Sequence, residues 1–170
     1  MKASKWEDIL CESKLLHILI DLRKKIHRDP EVGLQQPKTI KKIKDFLFEY
    51  LPKCAQSDNF KIKEIEQSGL IIDVWGQSDA KATDIPEGKG IAFRAELDAL
   101  KIKERTDLVD YFSTSSYSHM SGHDGHTVSL VWFLTVVFNN AHLFSKVAEF
   151  FEFIFRKTLF DLFSIRPRKQ

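Results

Sequence analysis

A chain of 170 residues, 43% hydrophobic and 29% charged, is long enough to bury a core and suits one domain. A net charge of only +2 excludes the strong basic field of a nucleic-acid binder, and two cysteines, Cys11 and Cys54, exclude a disulfide framework. The opening stretch "MKASKWEDILCESK" carries early acidic residues and no continuous apolar run. No secretory signal is therefore expected, and a cytoplasmic, reducing location is the expectation.

In chain order, Leu15, Leu16, Leu19, Leu22 and Ile26 recur at helical spacing and predict a helix over about 13–28. Pro30 stops it, because proline disfavours helix at the residue before it. A second helix is predicted from Pro37 to about Leu51, with Ile40, Ile43, Phe46, Leu47 and Leu51 on its apolar face. The period then changes. "FKIKEIE" (60–66) alternates as a half-exposed strand does, and "GLIIDVWG" (69–76) reads as a more buried one. "QSDAKATDIPEGKG" (77–90) is a polar turn region. "GIAFRAELDAL" (90–100) predicts a strand with Asp98 at its carboxyl end. Irregular sequence follows, then a stretch free of formal charge from Thr127 to Ser145. Its dense apolar part ends at Phe138, which suits a buried helix better than a membrane span, so no membrane contact is expected. "FFEFIF" (150–155) predicts a last strand. The expected fold is α/β: a layered domain with a mixed, mostly parallel sheet flanked by helices.

Three of the six histidines fall in "SHMSGHDGHT" (118–127). His123 and His126 would share a face at a helix start. Gly122 and Gly125 permit a sharp turn, and Asp124 could ligate a metal or fix a neighbouring imidazole. By spacing alone, one edge of a divalent-metal site and a polar loop both remain open. Glu96 and Asp98, two apart on a strand, point to one face and could assist a metal, orient a histidine or simply meet solvent. His27 is accounted for as a cation at a helix end, and His17 and His142 as structural.

Taken together, "IHRDPEVGLQQPKT" (26–39), "GKGIAFRAELDALKIKE" (88–104) and "SHMSGHDGHT" resemble three ordered motifs of the metal-dependent amidohydrolases. These are the aminoacylase, hippurate hydrolase and indole-acetyl-amino-acid hydrolase type of metallopeptidase. Their patterns run H-R-H-P-E-L-G-F-E-E-x-x-T, R-A-D-M-D-A-L-P-I-x-E and M-H-A-C-G-H-D-G-H-T. The likeness covers about 21–144. It implies that 1–155 form the N-terminal part of an aminopeptidase-like catalytic domain and that 156–170 are a divergent tail. It also implies hydrolysis of the amide bond of a small N-acyl amino acid, with two divalent ions, zinc or manganese, activating water and polarising the carbonyl.

Carried over residue by residue, the family's histidine ligand falls on His123 and its cysteine ligand on Ser121. Asp124 follows as a supporting carboxylate, and Asp98 matches the second aspartate of D-M-D as the candidate catalytic carboxylate. The departures are specific. Ser121 offers a neutral hydroxyl where a thiolate would bind zinc. Glu96 replaces aspartate and Met120 replaces alanine. The family's later F-I-F-Q-P-A-E-E strand begins here as "FIF" (153–155), but its two glutamates fall near Leu159 and Phe160. An incomplete site, weakly active or inactive, is therefore expected. The alternative is a non-catalytic remnant or metal-binding module. A homo-oligomer or a missing second half is the expected partner.

Overall fold

The computed structural model describes residues 13–51, 54–76, 90–106, 110–143 and 150–156. The polar region from 77 to 89 and the tail beyond 156 lie outside the described residues.

Helix α1 spans Ser13–Arg28 and α2 spans Pro37–Tyr50. The backbone between them is fixed by Glu31. Its carboxylate accepts the N–H groups of Lys38 at 3.1 Å and Thr39 at 2.8 Å and the Thr39 hydroxyl at 2.9 Å. The first N–H groups of a helix have no partner within it, and an anion there also meets the positive end of the helix dipole.

Strands β1 (Phe60–Ile65) and β2 (Gly69–Trp75) form an antiparallel hairpin. Strand β3 (Gly90–Ala95) leads to the site segment, helix α3 (His123–Asn139) crosses over, and β4 (Phe150–Arg156) returns to the sheet. Sheet order is β1-β2-β4-β3. The mixed α/β layering matches expectation. The expectation of a mostly parallel sheet does not match: among the described strands only β3 and β4 pair in parallel, while β4 runs antiparallel to β2. The physical reason is connection length. The short turn between β1 and β2 permits only antiparallel pairing, and a parallel pair needs a long crossover such as α3 provides. Gly69 allows β4 to approach. A Cβ there would lie 2.6 Å from the Phe155 carbonyl oxygen.

The core joins every element. Leu70, Ile72 and Val74 of β2 stand opposite Phe155, Phe153 and Phe151 of β4, and all six are buried in one cluster with Ile26, Ile43, Leu47, Val131 and Leu134. Helix α3 is apolar nearly all round because it is covered on both sides, by the sheet and by α1. Phe133 on α3 meets Phe93 edge-on at 4.8 Å and Phe153 at 5.7 Å. No helix among the described residues is long and apolar enough to cross a membrane.

Candidate functional site

The site forms where the chain leaves β3 and where α3 begins. Gly122 precedes α3 with φ of 80°, a left-handed conformation that glycine adopts without strain. Two side chains one helical turn apart then stitch α3 to the segment after β3. The His123 Nδ1 bonds to the Asp98 carbonyl oxygen at 2.8 Å, and the Thr127 hydroxyl donates to the Glu96 carbonyl at 2.9 Å. A carbonyl can only accept, so Nδ1 of His123 carries the proton. That leaves Nε2 facing the Glu96 carboxylate at 3.1 Å, with Arg94 on the other Glu96 oxygen at 3.0 Å. The Asp98 carboxylate lies 3.3 Å from Nδ1. An imidazole held at one nitrogen by the backbone presents the other in a fixed direction, which is how histidine ligands are oriented.

Asp124, the next residue, faces the opposite way. Its side chain is fully buried, and its Oδ2 accepts from Arg23 Nε at 3.1 Å and from His27 Nδ1 at 2.9 Å. Its Oδ1 has no hydrogen-bond partner among the described residues. His27 continues to Glu104, with Nε2 at 3.2 Å from the carboxylate. Glu104 also accepts the Ser113 N–H at 2.7 Å and the Thr106 hydroxyl at 2.6 Å. Burial pushes the Glu104 carboxyl up, but the hydrogen bonds from Thr106, Ser113 and His27 outweigh it and hold the group below the usual range.

His27 therefore does more than complement a helix end. It is buried between two carboxylates and ties α1 to α3 and to the loop after β3. Arg23, His27, Glu104 and Glu31 are working residues that spacing did not reveal. Only the motif likeness around 26–39 and 88–104 marked three of their positions.

The remaining members of the His-rich segment diverge. Ser121 and His126 are exposed. His119 is buried, at 3% exposure, and neither ring nitrogen has a hydrogen-bond partner among the described residues. Its ring lies 6.2 Å from that of His27. Burial pushes its imidazole down to about 4; Asp124 and Asp98 pull it up, while His27 and His123 push it further down. It is a neutral imidazole at neutral pH.

Imidazoles and carboxylates gathered at one sheet end are donor chemistry suited to a divalent transition ion. The buried, unpartnered nitrogens of His119 and Oδ1 of Asp124 are atoms that an ion or a water would satisfy. These features fit one edge of an ion site. They do not fit a closed two-ion centre: among the described residues, no three His, Cys, Asp or Glu side chains are gathered to hold an ion.

No protein-family model matches the chain. It is 33% identical over 115 residues to an N-acetylcysteine deacetylase of Bacillus subtilis, a match covering 66% of this chain and 26% of that protein. It is 38% identical over 116 residues to an N-acetyldiaminopimelate deacetylase of Oenococcus oeni, covering 66% and 27%. A solved Bacillus subtilis structure, a dinuclear metal-binding peptidase of the M20 family, aligns with TM-score 0.67 and 27% identity over 85% of this chain and 36% of its own. The described residues thus form a mixed α/β layer whose fold is similar to that of this peptidase. More particularly, the chain is homologous to the N-terminal part of these deacetylases and of the M20 peptidase. It spans about a quarter of the length of the curated relatives it matches.

Proposed function

We propose that this chain forms the first part of the hydrolytic domain of a metal-dependent amidohydrolase that cleaves the amide bond of an N-acyl amino acid. The observation that carries the reading is His123, held at Nδ1 by the Asp98 carbonyl with Nε2 directed away from that anchor. His123 is the ligand. Asp98, buried beside it, is the catalytic carboxylate that keeps the imidazole oriented and favours positive charge at the site. Ser121 occupies the second ligand position, and Asp124 supports from behind by fixing the start of α3. A divalent ion, zinc or manganese, supplies Lewis acidity and an activated water when bound, and a complete site takes two. The reading carries with it a cytoplasmic location.

A second reading is favoured by Ser121 and by the ungathered donor set. A neutral, exposed hydroxyl is a poor replacement for a thiolate, and one oriented imidazole is not a catalytic shell. On that reading the 170-residue chain binds metal without turning over.

The experiment is an assay of N-acetyl and N-benzoyl amino acids with the 170-residue chain, with and without added zinc or manganese. Metal-dependent product formation that disappears in His123→Ala supports the first reading. Metal binding without product supports the second, and absence of both contradicts the metallohydrolase reading for this chain.

A further inference from the structure

The sheet has two faces, and the core cluster accounts for one of them. Side chains alternate along a strand, and residues opposite one another in register share a face. Leu70, Ile72 and Val74 of β2 and Phe151, Phe153 and Phe155 of β4 point into the cluster to which each of the three described helices contributes. Ile71 and Trp75 of β2 and Ile154 of β4 point the other way. They stand outside that cluster, yet their exposure is only 5%, 9% and 3%. Ile71 and Ile154 are directly opposite one another on the two inner strands. Their side chains stand off the sheet, where neighbouring strands do not cover them, so burial this deep requires a further layer. Between this pair and Trp75 the register sets Asp73 opposite Glu152, with Lys61 beside Asp73 on β1. Like charges directly opposite are destabilising, so the two carboxylates favour a cation in the layer above them.

We propose that residues 157–166, which continue directly from β4, form that layer as an amphipathic helix laid across the second face of the sheet. Lys157, Asp161 and Ser164, at i, i+4 and i+7, share one polar stripe, and Leu159, Phe160, Leu162 and Phe163 fill the opposite arc. Pro167 ends the pattern. A helix over this stretch is about 15 Å long, and four strands span about 14 Å between the outer two, so the lengths match. Lys157, Arg166, Arg168 and Lys169 outnumber Asp161 in the same tail, which suits the Asp73–Glu152 pair. Residues 77–89, which like the tail lie outside the described residues, fit the face less well. They join Trp75 of β2 to Gly90 of β3 at one end of the sheet, and Ile85 is their one large apolar side chain. The inference is independent of the metal-binding reading.

The test places a nitroxide on Ser164→Cys in a Cys11→Ser background of the 170-residue chain and reads methyl and indole signals by NMR. Cys54 is buried and stays unlabelled. The expected result is broadening of the Ile71 and Ile154 methyl signals and of the Trp75 indole, with Ile26 and Ile43 in the helix layer far less affected. Phe160→Ser combined with Phe163→Ser is expected to open the Trp75 indole to solvent exchange and to leave the Trp132 indole on α3 unchanged. Where that double variant unfolds the whole chain, the nitroxide result decides alone. Unbroadened Ile71 and Ile154 signals overturn the proposal. Equal broadening when nitroxide and isotope are carried on different chains assigns the face to a second copy and overturns it. Broadening from a nitroxide on Ala82→Cys but not on Ser164→Cys assigns the face to 77–89 and overturns it as well.

Discussion

His27 Nδ1 stands 2.9 Å from Asp124 Oδ2, and this bond, between residues 97 apart in sequence, fastens α1 to the first turn of α3. Asp124 is fully buried, and Glu104, on the other side of the His27 ring, is almost so. Breaking a buried pair by removing one partner leaves the other uncompensated. Asp124→Ala should therefore destabilise the fold by about 3–5 kcal/mol. Arg23, half-exposed where it meets the same carboxylate, should cost less than about 1 kcal/mol on replacement by alanine. Urea denaturation of the two variants separates the cases. Equal, small losses would show that the His27 bond does not hold the helices together.

Glu31→Ala removes the acceptor at the start of α2 and leaves the N–H groups of Lys38 and Thr39 without it. A loss of about 1–2 kcal/mol is expected. Glu31→Gln, which keeps an acceptor oxygen but not the charge, should recover part of it. Equal stability of wild type and Glu31→Ala in urea would count against the cap.

Gly69→Ala places a methyl group 2.6 Å from the Phe155 carbonyl oxygen. The β2–β4 pairing must open to admit it, at a cost of about 1–3 kcal/mol. The measurement is a lowered thermal midpoint with faster hydrogen exchange at the Gly69–Arg156 end of the ladder. Unchanged exchange there would contradict the register.

Periodicity made most elements legible. The apolar spacing from Leu15 to Ile26 and from Ile40 to Leu47 marked α1 and α2, and the apolar run after Thr127, dense only as far as Phe138, marked α3 as a buried helix rather than a membrane span. Insertion of β4 between β2 and β3 was not legible, because strand order is set by nonlocal packing of Phe151, Phe153 and Phe155 against β2. The site divides in the same way. Glu96, Asp98 and His123 were visible as candidates from their own neighbourhoods. The Asp124–His27–Glu104 chain was not, since no local spacing pairs residues 97 and 77 positions apart.

Acid should reveal His119. The unfolded chain takes up this proton as pH falls through about 6.5, whereas the buried imidazole does so only at about 4. Stability from this group is therefore full above about pH 6.5 and declines between there and about pH 4, by on the order of 3 kcal/mol. The lowered carboxyl of Glu104 adds its own loss only below the ordinary glutamate range. Urea midpoints across this window should slope in wild type and flatten in His119→Leu. Parallel curves would remove His119 as the source.

The orientation of His123 is central, and imidazole 15N spectroscopy of the chain during zinc titration tests it most directly. The expected result is a proton retained on Nδ1 of His123, as its bond to the Asp98 carbonyl requires, with a zinc-dependent shift at Nε2. A His123 ring that keeps both nitrogen resonances unchanged at saturating zinc, or that carries its proton on Nε2, would contradict it.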